Sequence, residues 1–94
     1  MTVRFKDWDC ELRWGFYGNG RRALELYDNG PIAKATVNIP EVELAEDEVC
    51  IKDWSENEGM LDALVEAGIV EDTGRRVEAG FVTAPVARIK KNGI

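Results

Sequence analysis

Histidine is absent from the 94 residues. That removes the side chain most used as a general base near neutral pH, and a common metal ligand. Cysteine occurs only twice, as Cys10 and Cys50. A small secreted domain stapled by disulfides uses more, and two distant thiols do not make a zinc site. Both lie in apolar, strand-like runs, where a thiol serves as a small buried hydrophobe; sequence leaves their pairing open. No apolar run reaches the roughly eighteen residues of a membrane span. The opening, Met1 to Lys6, has neither the hydrophobic block nor the cleavage site of a signal peptide. The expectation is a soluble, cytoplasmic protein with no membrane association, metal or cofactor.

What is present supports one modest core. Hydrophobic residues make up 45% of the chain, with three Trp, three Phe and two Tyr, too many for a disordered segment. The length suits a single domain over 1–94. No linker or internal repeat interrupts it.

Charge is distributed unevenly. Between Glu41 and Asp72 stand twelve acids and one base, Lys52, for a net −11. The remainder holds eleven bases and six acids, net +5, which gives the overall −6. Such a bipolar field bears on partners and association rather than on fold.

Four strands are legible before the acidic stretch. Val3 and Phe5 alternate with Arg4 and Lys6. Cys10, Leu12, Trp14 and Phe16 alternate with Asp9, Glu11, Arg13 and Gly15, a period of two. Asn19-Gly20 supplies a tight turn, and Arg22 to Asp28 returns with Leu24 and Leu26 on one face. After Asp28-Asn29-Gly30-Pro31, Ile32 to Ile39 alternates again, with Ala33, Ala35, Val37 and Ile39 inward. Pro40 stops it. Consecutive strands with short turns make an antiparallel meander.

Beyond Pro40 the pattern changes. Glu41 to Glu48 reads as an acidic loop or ragged edge, and Val49-Cys50-Ile51 as a short strand. Ser55-Glu56-Asn57-Glu58 has the form of a capping box, so a helix is predicted from about Glu56 to Ala67. Its apolar face is Met60, Leu61, Leu64 and Val65. Gly68 and Ile69 fit a Schellman ending. Asp72-Thr73-Gly74 reads as a turn, and Gly80 to Ile89 as a last strand that Pro85 places at an edge or breaks. The tail from Lys90 to Ile94 is expected to fray. The fold class is α+β: an antiparallel meander sheet of four to six strands with one helix packed on it.

No nucleophile–base pair is visible, so a catalytic role ranks last. Eighteen acids produce carboxylate pairs by chance. The Glu41–Glu48 run lacks the acid order and central glycine of a calcium loop. Gly18-Asn19-Gly20-Arg21-Arg22 joins two strands rather than leading into a helix, so it reads as a hairpin turn and not a phosphate loop. Arg21, Arg22, Arg75 and Arg76 form basic patches. Trp8, Trp14 and Trp54 read as core, with Trp8 and Trp54 partly exposed at element ends. The feature left is the acid surface. Glu58, Asp62 and Glu66 fall at i, i+4 and i+8 with no base between them, although like charges at that spacing cost a few tenths of a kcal/mol. With Glu41, Glu43, Glu46, Asp47 and Glu48 they form a candidate partner-binding surface that imitates a nucleic-acid backbone, provided that loop and stripe share a face. Duplex DNA carries a charge every ~1.7 Å. A solvated face, and a self-associating module in which acids of one chain meet bases of the next, are the alternatives.

The stretch from Gly59 to Val70 (GMLDALVEAGIV), followed by Thr73-Gly74-Arg75 and Gly80-Phe81-Val82, and the opening Trp8-Asp9-Cys10-Glu11-Leu12, resemble a family of short acidic bacterial proteins found on phages and other mobile elements. Some proteins of this size and charge from that setting are anti-CRISPR proteins. The resemblance carries no catalytic residues. It implies a small non-catalytic inhibitor, monomeric and acting in the bacterial host cytoplasm. Its partner would be a CRISPR-Cas effector subunit with a basic nucleic-acid-binding groove, without direct contact to nucleic acid.

Overall fold

Alternating residues in the first third of the chain build one sheet in sequence order. The computed structural model describes residues 2–91. In it β1 (Thr2–Phe5), β2 (Trp8–Phe16), β3 (Arg22–Tyr27) and β4 (Pro31–Lys34) pair antiparallel in the order β1-β2-β3-β4. The register sets Val3 opposite Cys10, Leu12 opposite Leu26 and Trp14 opposite Leu24. Those residues share the core face, as the period of two requires. The exception is Phe16, which lies at the strand end and is 68% exposed.

The run read as one strand from Ile32 to Ile39 divides at Ala35. Its N–H donates to Leu24 of the first sheet, and its C=O accepts from the Lys52 N–H of the second layer. Ala35 is fully buried, and its small side chain lets the backbone pass between two packed layers. Beyond it the chain enters a second antiparallel sheet. This contains β5 (Thr36–Val37), β6 (Glu48–Ile51), β7 (Val70–Ala79) and β8 (Val82–Ile89), ordered β5-β6-β8-β7. The fold is α+β, and the meander is present, but eight strands divide into two sheets of four.

Two local readings change here. Asp72-Thr73-Gly74 is no turn between elements; it is a bulge inside β7. The register runs from Asp72↔Ala87 to Arg76↔Pro85, so four steps on β7 match two on β8. Gly74, at φ +85, permits the distortion, and its N–H donates to Asp72 Oδ1 at 2.9 Å. β8 is a central strand, not an edge. Pro85 is tolerated there because the β6–β8 ladder ends at Cys50↔Val86, one residue short of it.

The helical segment is broken rather than continuous. A 3-10 turn over Ser55–Asn57 precedes α1 (Met60–Glu66), and Gly59 between them takes a left-handed φ of +95. The capping box does not form. The Glu58 N–H donates to the Ser55 backbone carbonyl, and no side chain of Trp54 or Gly59 caps a first turn. Asp53 caps instead: its Oδ1 accepts from the N–H groups of Gly59 (3.0 Å) and Leu61 (3.2 Å). The Schellman ending is realised. Ile69 N–H donates to Leu64 O and Gly68 N–H to Val65 O, with Gly68 at φ +76 and Ile69 fully buried.

Two hydrophobic clusters result. The larger lies between the sheets and takes Met60, Leu61 and Leu64 of α1 together with Val49, Ile51, Ala87 and Ile89 of the second sheet. Burying each of those large side chains contributes about 1.5–3 kcal/mol. Cys10 sits there as a free thiol, and burial raises its pKa. The smaller cluster is on the opposite face of the second sheet. It holds Ile39, Cys50, Ala84 and Val86, with Val42, Leu44 and Trp54 packed against it. Asn57 is 2% exposed and ties the layers, its amide donating to the carbonyls of Lys34 (2.6 Å) and Lys52 (3.1 Å). The tail reading falls at 92–94 outside the described residues; Lys90 N–H donates to Ile69 O.

Candidate functional site: an acidic loop held by arginines

The loop joining β5 to β6 owes its shape to short turns. Val42 N–H donates to Ile39 O just after Pro40. At the far end Glu48 N–H donates to Ala45 O, and the Glu48 carboxylate accepts from Ala45 N–H at 2.9 Å. Val42 and Leu44 point to the smaller cluster. Glu41, Glu43, Glu46 and Asp47 are exposed, and Glu48 is half-buried.

Three arginines hold this loop, and they do so in two ways. Arg21, at the end of the β2–β3 turn, donates to the backbone carbonyls of Ile39 (2.7 Å), Pro40 and Val42. Arg75, beside the β7 bulge, donates to the carbonyl of Glu43 at 2.8 Å. Arg88 of β8 instead pairs with carboxylates: Asp47 at 3.5 Å, Glu48 at 3.4 Å and Glu71 at 3.1 Å. Its guanidinium pKa is raised, chiefly by the Glu71 hydrogen bond. Among the described residues, no ion pair involves the carboxylates of Glu41, Glu43 or Glu46. A depression of about 370 Å³ lies between this loop and the β2–β3 hairpin, bordered by Phe16, Arg22, Leu44 and Glu46.

The predicted stripe on the helix is shorter than its spacing implied. Glu58 precedes the left-handed Gly59 and has extended ψ of 129, so it does not belong to α1. Asp62 and Glu66 remain, exposed at i and i+4. Stripe and loop do not share a face. α1 packs on the face of the second sheet formed by Val49, Ile51, Ala87 and Ile89, whereas the loop packs on the face formed by Cys50, Ala84 and Val86. Successive residues of a strand point to opposite sides, so the sheet itself separates the two. The eight acids of the proposed surface therefore divide into a loop group and a helix-side group.

The arginines were visible in the sequence as basic patches, but their role was not. Nothing in a pair such as Arg21-Arg22 tells that one guanidinium will bind carbonyls of a loop 18 to 21 residues away. Arg22 lies over the Phe16 ring at 5.2 Å. Arg76 pairs with Asp72 at 2.9 Å through both oxygens, and that hydrogen bond is the main cause lowering the Asp72 pKa. Lys52 likewise lowers that of Glu56. Among the described residues, no cluster of three or more acids or cysteines is placed to hold a metal ion, and no helix is long and apolar enough to cross a membrane.

The class these features define is an α+β domain with a charged, arginine-braced loop on one sheet. Comparisons with family models, with curated proteins and with solved structures give no match to this chain.

Proposed function

We propose that the protein is a non-catalytic inhibitor of the anti-CRISPR type, and that the Glu41–Glu48 loop docks in a basic nucleic-acid-binding groove of an effector protein. One observation supports this above others. Two of the three arginines that hold the loop, Arg21 and Arg75, bind its backbone carbonyls rather than its carboxylates, and Glu41, Glu43 and Glu46 stay exposed. The loop is thereby held in shape with the carboxylates of Glu41, Glu43 and Glu46 exposed, while those of Asp47 and Glu48 are paired with Arg88. A pre-shaped ligand loses less entropy on binding, and a compact acid group steers toward a basic groove at a rate that falls with salt. The helix-side acids Glu58, Asp62 and Glu66 lie behind the second sheet and are not part of this contact.

Self-association of acids with bases is less favoured by the same geometry. Of the arginines, Arg76 and Arg88 are paired with carboxylates of the same chain and Arg21 and Arg75 are held by loop carbonyls, while Arg22 lies over the Phe16 ring.

The test is inhibition of DNA binding and cleavage across a panel of purified Cas effector complexes. A variant with Glu41→Lys, Glu43→Lys and Glu46→Lys should lose inhibition, and one with Asp62→Lys and Glu66→Lys should keep it. Inhibition by the loop variant equal to that of the parent, or inhibition of no effector by the parent, rejects the reading.

A further inference from the structure

Residues 40–46 belong to neither sheet. Among the described residues, the hydrogen bonds tying this segment and its carbonyl at Ile39 to the body of the fold come from two side chains, Arg21 and Arg75. The remaining bonds, Val42 to Ile39 and Ala45 to Glu48, are local turns. The β-ladder resumes only past it, where Ile89 N–H donates to Asp47 O at 2.7 Å. Apolar attachment is equally thin: Val42 and Leu44 are half-buried. With Trp54, Val37, Val77 and Ala79 they pack against the cluster of four buried residues that includes Cys50, which is 1% exposed.

Segments with few buried contacts and no ladder bonds open at free energies well below that of global unfolding. We infer that residues 40–46 form a latch over the smaller hydrophobic cluster, pinned chiefly by Arg21 and secondarily by Arg75, which opens while both sheets stay folded and uncovers Cys50. Arg21 is the main pin because its planar fork reaches three carbonyls, whereas Arg75 reaches one. Its bonds are charge-assisted and stronger than neutral ones. The two arginines also lie close enough to Cys50 to act on its thiol, where their charges oppose the burial that raises its pKa. Cys10 provides the internal control: it lies in the larger cluster between the sheets, so it is uncovered only when the layers separate.

The inference does not depend on any partner. Its test is the rate of iodoacetamide alkylation of the full chain under native conditions, with the Cys10 and Cys50 peptides resolved by mass spectrometry. In the parent, Cys50 should react faster than Cys10. Arg21→Ala should raise the Cys50 rate by at least about tenfold and leave the Cys10 rate unchanged. Arg75→Ala should raise it less. Arg21→Lys, which keeps the charge but not the fork, should fall between Arg21→Ala and the parent. Equal acceleration of both thiols would mean that Arg21 supports the whole fold, and an unchanged Cys50 rate would mean that it pins nothing; either overturns the latch. Should Arg21→Ala fail to fold, the Arg75→Ala and parent rates still decide it, because coincident Cys10 and Cys50 rates in both would exclude a separate opening.

Discussion

Replacing Asn57 by alanine tests the joint between the layers. Asn57 is buried to 2% exposure, and its amide nitrogen serves two backbone carbonyls, Lys34 O at 2.6 Å and Lys52 O at 3.1 Å. Lys34 closes β4 of the first sheet, and Lys52 follows β6 of the second. Asn57→Ala removes both donors and introduces none. Each bond is worth about 1 kcal/mol net, and a buried carbonyl left without a partner costs about 1–3 kcal/mol more. Both bonds are only part-buried, so water offsets part of this and a loss of about 3 kcal/mol is expected. For a domain of this length, 1 kcal/mol moves Tm by about 4–8 °C, which predicts a fall of about 12–24 °C. Thermal and urea unfolding followed by tryptophan fluorescence would measure it. Asn57→Asp sharpens the test. It sets a carboxylate against two carbonyl oxygens, so burial raises the folded pKa of the introduced group. The protonated form is favoured in the folded state. The destabilisation is thus greatest at neutral pH and shrinks as pH falls through that raised pKa. A loss below about 1 kcal/mol for Asn57→Ala, or an Asn57→Asp variant whose deficit does not depend on pH, would refute the role given to this residue.

The capping assignment separates two residues that sequence alone confuses. Asp53→Ala should cost about 0.5–2 kcal/mol, the usual loss of an N-cap acceptor, while Ser55→Ala should stay within about 0.5 kcal/mol; the reverse order in urea melts would restore the capping box. Gly68→Ala should cost about 1–2 kcal/mol, all of it from forcing a Cβ into left-handed backbone, since no atom lies within 4 Å of the added carbon. Gly18→Ala, equally uncrowded and without a positive φ, should be near neutral by the same measurement. The Asp72 carboxyl, held below the ordinary range by Arg76, contributes stability present above its unfolded pKa and lost as pH falls through its folded pKa. The pair is solvent-exposed, so its worth is at most about 1 kcal/mol. Arg76→Ala should raise the Asp72 titration, followed by carbon-detected NMR, toward the ordinary carboxylate range without reaching it, because the Gly74 N–H still donates to that carboxylate.

Legibility followed the range of the interactions involved. The meander from β1 to β4 was readable because alternation and turn residues are local and agree with each other. The Schellman ending at Gly68 and Ile69 was readable for the same reason. The capping box failed through competition: Asp53, two residues before Ser55, reaches the first turn of α1, and the burial of Asn57 draws the preceding residues into a separate 3-10 turn. β7 was missed because Glu71 to Arg76 carries almost no apolar alternation. Its outer edge is exposed, and a bulge at Gly74 interrupts the period of two.

The same division applies to the acid-rich stretch. Its net charge, its boundary at Pro40 and most of the apolar face of the helix, Met60, Leu61 and Leu64, were determined by the sequence, because each depends on residue identity and short-range order; Val65, expected on that face, is instead 39% exposed. Which carboxylates act together was decided only by the tertiary structure. The second sheet lies between loop and helix, so two acid groups adjacent in sequence face opposite ways. Arg88 then distinguishes the acids that are paired, Asp47, Glu48 and Glu71, from the exposed ones of the loop, across separations of 17 to 41 residues. Coulombic and hydrogen-bonding partners are chosen by distance in space, and only the packed sheets fix that distance.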